Sequence, residues 1–197
     1  MNAPDPRTDD YRSRLLSGMV EAIADVGFAD LTIADVVRRA RVSKRTFYEH
    51  FATKEACFLA LYEAESLALI AEIEGAIRDL PPGVERITTG TAVYLGRIGS
   101  SPRHARTLLI EILHVGAEGL AIRRDVLRRF AHLFVREVAE AGAGASLSPT
   151  VAMAMVGGIN ELILEASEED RLDRLGELGV AIEELVSSVV GTALRRE

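Results

Sequence analysis

Residues 31–54 read LTIADVVRRARVSKRTFYEHFATK, and the punctuation of this stretch decides the fold. Ile33, Val36, Val37 and Ala40 recur at i, i+3, i+4 and i+7, the apolar stripe of a short helix. Thr32 precedes that stripe and Asp35 follows three residues on, the spacing of a capping box with Asp in place of Glu. Arg41-Val42-Ser43 interrupts the pattern, and Ser43 is a good N-cap for a second helix. That helix sends Lys44, Arg45, Thr46, Tyr48 and His50 outward and turns Phe47 and Phe51, at i and i+4, back toward the first. Two helices, a three-residue turn and a polar, basic second helix are the parts of a helix-turn-helix.

Composition sets the surroundings of this element. A chain of 197 residues can form one domain or two small ones with a buried core. With 48% hydrophobic residues, wholesale disorder is excluded. The single Cys57 rules out a disulfide within the chain and fits a reducing cytoplasm; beside Phe58, it reads as a buried, inert thiol. No basic-then-apolar start resembles a signal peptide. The least charged stretch, 141–160, is broken by Gly, Ser, Pro and Thr, so no membrane partner is expected. The net charge of −7 argues against a polyanion until its distribution is considered. Between positions 38 and 54, Arg38, Arg39, Arg41, Lys44, Arg45 and Lys54 face only Glu49, a local excess of +5. A basic patch on an acidic chain is an electrostatic footprint for nucleic acid. The Arg- and Ala-rich, Lys-poor composition points to a bacterial source.

Working outward, residues 1–8 hold two prolines and no apolar pattern, so a disordered tail is expected there. Leu16, Met19, Ile23 and Val26 predict a helix over 9–26, closed by Gly27 as a left-handed C′ residue. Residues 9–52 thus form a three-helix head. Thr53 caps a long fourth helix reaching about residue 78, and Pro81-Pro82-Gly83 ends it. Helices follow over about 84–99, 103–115, 118–141, 149–166 and 171–195, so 53–197 forms a helical-bundle body. No stretch alternates with period 2 long enough for a strand. The expected fold is all-α, with about nine helices.

The runs T-I-A-D-V from Thr32, A-R-V-S-K-R-T-F-Y-E-H-F from Ala40 and T-K-E-A-C-F from Thr53 resemble the DNA-binding signature of the TetR (tetracycline-repressor-like) family over roughly residues 10–60. The resemblance implies a cytoplasmic, homodimeric, ligand-responsive regulator, usually a repressor. It implies near-palindromic double-stranded operator DNA as partner, with no cofactor and no enzymatic activity. Ser43, Lys44, Arg45 and Thr46 open the recognition helix, where Arg can pair with guanine O6 and N7 and Thr can meet a thymine methyl or a phosphate. By resemblance, Thr32, Tyr48, His50 and Lys54 contact phosphates and fix register. Many family members carry Gly at the position of Arg45, and this chain departs from them there.

The body carries two further expectations. Leu175, Leu178, Ile182, Leu185, Val186, Val189 and Val190 make a broad apolar face on the last helix, and Gly157-Gly158 allow close approach in the one before. The resemblance implies that these two helices pair into a four-helix dimer interface. It also places an effector pocket inside the body, where apolar faces converge and where Tyr94, His114, Phe130, Phe134, Met155 and Asn160 are the candidate ligand residues. The apolar lining favours a small hydrophobic effector. Two readings compete: a helical-bundle enzyme or metal-binding protein using Glu111 and His114 at i, i+3, and an architectural DNA binder without effector.

Overall fold

The computed structural model describes residues 6–141 and 146–194, and every regular element among them is helical. The helices are α1 (Pro6–Asp30), α2 (Ile33–Ala40), α3 (Lys44–His50), α4 (Lys54–Ile77), α5 (Val84–Ser100), α6 (Pro102–His114), α7 (Ala117–Glu140), α8 (Pro149–Glu168) and α9 (Leu175–Leu194), with a 3-10 turn at Leu172–Arg174 before α9. Residues 1–5 of the expected tail and 142–145 of the α7–α8 connection lie outside the described residues. Residues 6–8 are already helical. Pro6 suits this start, because its fixed φ and missing N–H cost nothing in a first helical turn.

The described residues fall into two compact units. The first comprises the chain up to Glu65 with Arg106–Ile122, the second Ser66–Ala105 with the chain from Arg123 on. All three boundaries fall inside helices, so α4, α6 and α7 each contribute residues to both units.

In the first unit, α1 packs chiefly on α2. Its buried stripe is Leu15, Leu16, Met19, Ala22 and Ile23, whereas Val26 is 42% exposed and not the core residue its spacing suggests. One residue on, Gly27 kinks the chain with φ of 74° and ψ of 162°, which ends the regular helix. Its φ is positive, as expected of a terminating glycine, but its ψ is extended rather than left-handed helical. Gly18 faces α2 so closely that an added Cβ would sit 2.8 Å from the Ala40 amide nitrogen and 2.9 Å from the Val36 carbonyl oxygen. Arg14 reaches over the same contact and donates to the carbonyls of Ala40 (3.0 Å) and Arg41 (2.6 Å), satisfying orphan groups at the end of α2. In the second unit, α9 packs chiefly on α5 and also on α8. Leu95 and Ile98 of α5 and Leu175, Ile182, Val186 and Val190 of α9 are all buried.

Candidate nucleic-acid interface and body cavity

The helix-turn-helix forms as its punctuation predicts. The Thr32 hydroxyl accepts from the Asp35 amide (3.3 Å) while the Asp35 carboxylate accepts from the Thr32 amide (3.1 Å), a complete capping box. The hydrogen bonds from Thr32 hold the Asp35 carboxyl below its usual range, against a smaller opposing effect of burial; Arg38 and Arg39 lower it further. Arg41 takes the left-handed conformation (φ 54°, ψ 45°) that ends α2. Ser43 caps α3 by accepting from the Thr46 amide at 3.0 Å. On the inner side of α3, Phe47 is fully buried and Phe51 nearly so, their ring centroids 5.9 Å apart. The opposite side presents Lys44, Arg45 and Tyr48 to solvent.

Side-chain partners refine the expected contact set. Ser43, Lys44, Arg45 and Tyr48 are exposed, while Thr46 and His50 are half-buried. Tyr48 stands edge-on to Phe47 at 5.7 Å and leaves 59% of its surface open. Arg45 pairs with Glu49 at 3.0 Å, an exposed i, i+4 pair weak enough to open for another acceptor. The Ser43 and Thr46 hydroxyls share one hydrogen bond at 2.9 Å, which leaves one hydroxyl proton free. Arg38 pairs with Asp35, and Arg39 with Asp25, so two of the six cations are balanced by acids outside the counted stretch.

Two expected phosphate contacts are committed elsewhere. Thr32 gives its only hydroxyl proton to Asp35 at 2.5 Å, so it has none left for a phosphate oxygen. Lys54 donates to the carbonyls of Phe28 (2.9 Å), Ala29 (3.3 Å) and Leu31 (2.9 Å), using all three ammonium protons. Its nitrogen also lies 4.8 Å from the Phe28 ring centroid. Lys54 therefore clasps the first turn of α4 to the end of α1 and to Leu31 just beyond it. No local pattern announces this, because the acceptors are backbone groups more than 20 positions away.

In the second unit, α4, α5, α7 and α8 enclose a cavity. Its non-protein space is ≈ 560 Å³ counting the open mouth, and a water molecule's centre can move through ≈ 50 Å³ of it, room for a few waters. Tyr94, Phe130 and Phe134 line it as expected, with Tyr94 edge-on to Phe130 at 5.4 Å. Met155 and Asn160 are buried but are not part of the lining. His114 does not line it; its largely exposed ring pairs with Glu111 at 3.4 Å in the first unit. That pair stands without further ligands: the described residues hold no group of three or more His, Cys, Asp or Glu fit for a metal ion. The lining also includes residues that sequence reasoning passed over. Arg86 and Glu137 meet at 3.2 Å, both largely buried.

The apolar face of α9 divides in two. Leu175, Ile182, Val186 and Val190 are buried within the chain and unavailable to a partner. Leu178 and Val189 remain half-exposed and Leu185 is 36% exposed. On α8, a Cβ added at Gly157 or Gly158 would meet nothing within 4 Å. Cys57 is fully buried, and burial pushes its thiol up to about 12 despite an opposing pull from Arg12.

Residues 15–61 match the family model of bacterial regulatory proteins, tetR family. Those residues carry a TetR-type helix-turn-helix segment. Over 102 residues it is 28% identical to the HTH-type transcriptional regulator EthR of Mycolicibacterium smegmatis, a match that spans 51% of this chain and 47% of that protein, about half of each. Solved structures extend the likeness of fold along the chain. FadR of Bacillus halodurans, a fatty acid degradation regulator, superposes with a TM-score of 0.74 at 15% identity, covering 94% of this chain and 96% of its own. FadR of Bacillus subtilis, determined in complex with stearoyl-CoA, gives 0.67 at 19% identity, covering 88% and 96%. The family match spans α2, α3 and most of the first-unit residues of α4, so it contains the whole TetR-type motif. No helix among the described residues is long and apolar enough to cross a membrane.

Proposed function

We propose that this chain is a homodimeric, ligand-responsive transcriptional regulator of the cytoplasm, most simply a repressor released from its operator by a small hydrophobic effector. The observation that carries the reading is the two-sidedness of α3. Phe47 and Phe51 lock one side into the core, while Lys44, Arg45 and Tyr48 stand free on the other. A fixed helix with an exposed, cationic outer side is what major-groove readout requires.

In this reading Lys44 and Arg45 meet base edges. Ser43, Thr46, Tyr48 and His50 hold the backbone, together with Arg41, exposed at the turn. Leu178, Leu185 and Val189 of α9 join the open surface at Gly157-Gly158 of α8 in the seam between two copies. Two recognition helices then face successive major-groove turns of a near-palindromic site. The apolar cavity supports the effector, as does a structural neighbour that holds stearoyl-CoA. Helix α4 is shared by the two processes: its first residue is Lys54, and Ile73 and Ile77 near its end line the cavity.

Gel-shift titration of the full chain against its preferred duplex, with and without a cavity-binding compound, tests the proposal. A regulator loses operator affinity when the compound binds. An architectural binder keeps it, and a protein with no preference among duplexes is neither.

A further inference from the structure

The lining of the cavity defines what it can hold, and this inference rests on the effector reading above. Four of its side chains are polar: Arg86, Thr91, Tyr94 and Glu137. Three are already spent. Arg86 donates twice to the Leu80 carbonyl, at 3.2 and 2.6 Å, and reaches the carboxylates of Glu137 and Glu140 at 3.2 and 2.8 Å. The second oxygen of Glu137 takes two bonds from Arg136, at 3.1 and 3.0 Å. Thr91 gives its proton to the Ile87 carbonyl of its own helix at 2.9 Å. Neither a cation nor an anion entering the cavity finds a free counter-charge, and burying an unpaired charge is costly.

Tyr94 differs. Arg123 donates to Asn160 Oδ1 at 2.6 Å. A guanidinium has only donors, so this contact fixes which end of the Asn160 amide is the oxygen. Asn160 and the Arg123 charge both act to lower the Tyr94 phenol. Among the described residues, no hydrogen bond commits the Tyr94 hydroxyl to Arg86, Thr91 or Glu137, the other polar side chains of the lining. Burial is the larger influence and pushes the phenol up, so the proton stays in place at neutral pH. Phe130, edge-on at 5.4 Å, holds the ring.

We propose that the cavity takes an uncharged, largely apolar compound with one hydrogen-bond acceptor, a carbonyl or ether oxygen, and that the Tyr94 hydroxyl donates to it. An otherwise apolar chamber then meets its ligand's single polar atom at one place, which sets orientation as well as affinity.

The test uses three small probes of similar shape: acetophenone, ethylbenzene and benzoate. Each is titrated calorimetrically into the full-length chain and into its Tyr94→Phe variant. Wild type binds acetophenone at least as tightly as ethylbenzene, and benzoate more weakly than either. Tyr94→Phe weakens acetophenone about three- to tenfold, the value of one hydrogen bond, and leaves ethylbenzene within about twofold, since the apolar contacts stay. Phe130→Leu, which keeps the hydroxyl, moves acetophenone and ethylbenzene together. Equal effects of Tyr94→Phe on these two, or benzoate binding tightest, overturns the proposal and leaves the effector cavity standing. If none of the three binds either protein, the cavity reading falls, and this proposal with it.

Discussion

Lys54→Met separates two roles that a lysine at the start of α4 can play. The variant keeps the stem length and deletes three hydrogen bonds, two of them partly buried and one exposed. A partly buried bond from a charged donor contributes about 1.5 kcal/mol net at the low end of its range. The exposed Ala29 carbonyl finds water instead. Loss of the ammonium over Phe28 adds about 0.5–1 kcal/mol. Against this stands the relief of dehydrating and ordering the ammonium, so the net cost is about 2–3 kcal/mol. For a chain of this size that lowers the melting temperature by about 4–12 °C, measured at fixed protein concentration because assembly contributes to stability. DNA binding is then followed by fluorescence anisotropy across about 50–200 mM salt, at a temperature where the variant is folded. A residue that positions the motif lowers affinity while leaving the slope of log K against log salt unchanged. A residue on a phosphate reduces that slope by about 1. An unchanged melting temperature with a slope reduced by one unit refutes the clasp and restores Lys54 to the DNA.

Four further outcomes follow from named contacts. Gly18→Ala drives a methyl into the α2 backbone and costs about 1–3 kcal/mol by urea denaturation, and an unchanged midpoint would mean that α1 and α2 are not so close. Leu185→Asp, at a partly exposed position, gives a folded monomer by light scattering and circular dichroism. Val186→Asp, one residue on and fully buried, fails to fold; a folded monomer in both cases would mean that α9 is packed differently. Asp35 has a folded pKa below its unfolded one, so its share of stability is present above pH ~4 and is lost as pH falls through the folded value. The stability difference between wild type and Asp35→Asn therefore narrows on acidification, and a difference independent of pH down to about 2 would contradict the capping box. Cys57 ignores a thiol reagent at pH ~8 until the chain is unfolded, and rapid reaction of the native protein would show the thiol to be exposed or ionised.

The local parts of this fold were legible in the sequence, because the signals that form them are local. Thr32, Asp35, Ser43 and Thr53 stand where caps are needed, and each cap is made by groups three positions apart. Phe47 and Phe51 announced the buried side of α3 by their spacing. What periodicity could not reveal is which residues meet from distant positions. It could not divide the face of α9 into Val186, buried within the chain, and Leu185, partly open, because both are apolar. It counted the charges around α3 along the chain and so missed Asp25, which reaches Arg39 from α1. It chose His114 for the cavity by residue type and passed over Arg86 and Glu137, whose pairing spans 51 positions. Charged residues at those sites look like solvated surface until the fold brings them together.

The central claim is sequence-specific recognition of DNA by a dimer through α3. Its most direct test is to select binders from a random pool of duplexes with the full-length chain and sequence what survives. The account predicts enrichment of a near-palindrome whose half-sites lie about one helical turn apart. Arg45→Ala should relax the preference at one position in each half-site, at a cost of about 1–3 kcal/mol. A pool that stays random, or an enriched motif with no two-fold symmetry that Lys44→Ala and Arg45→Ala leave unchanged, would contradict it.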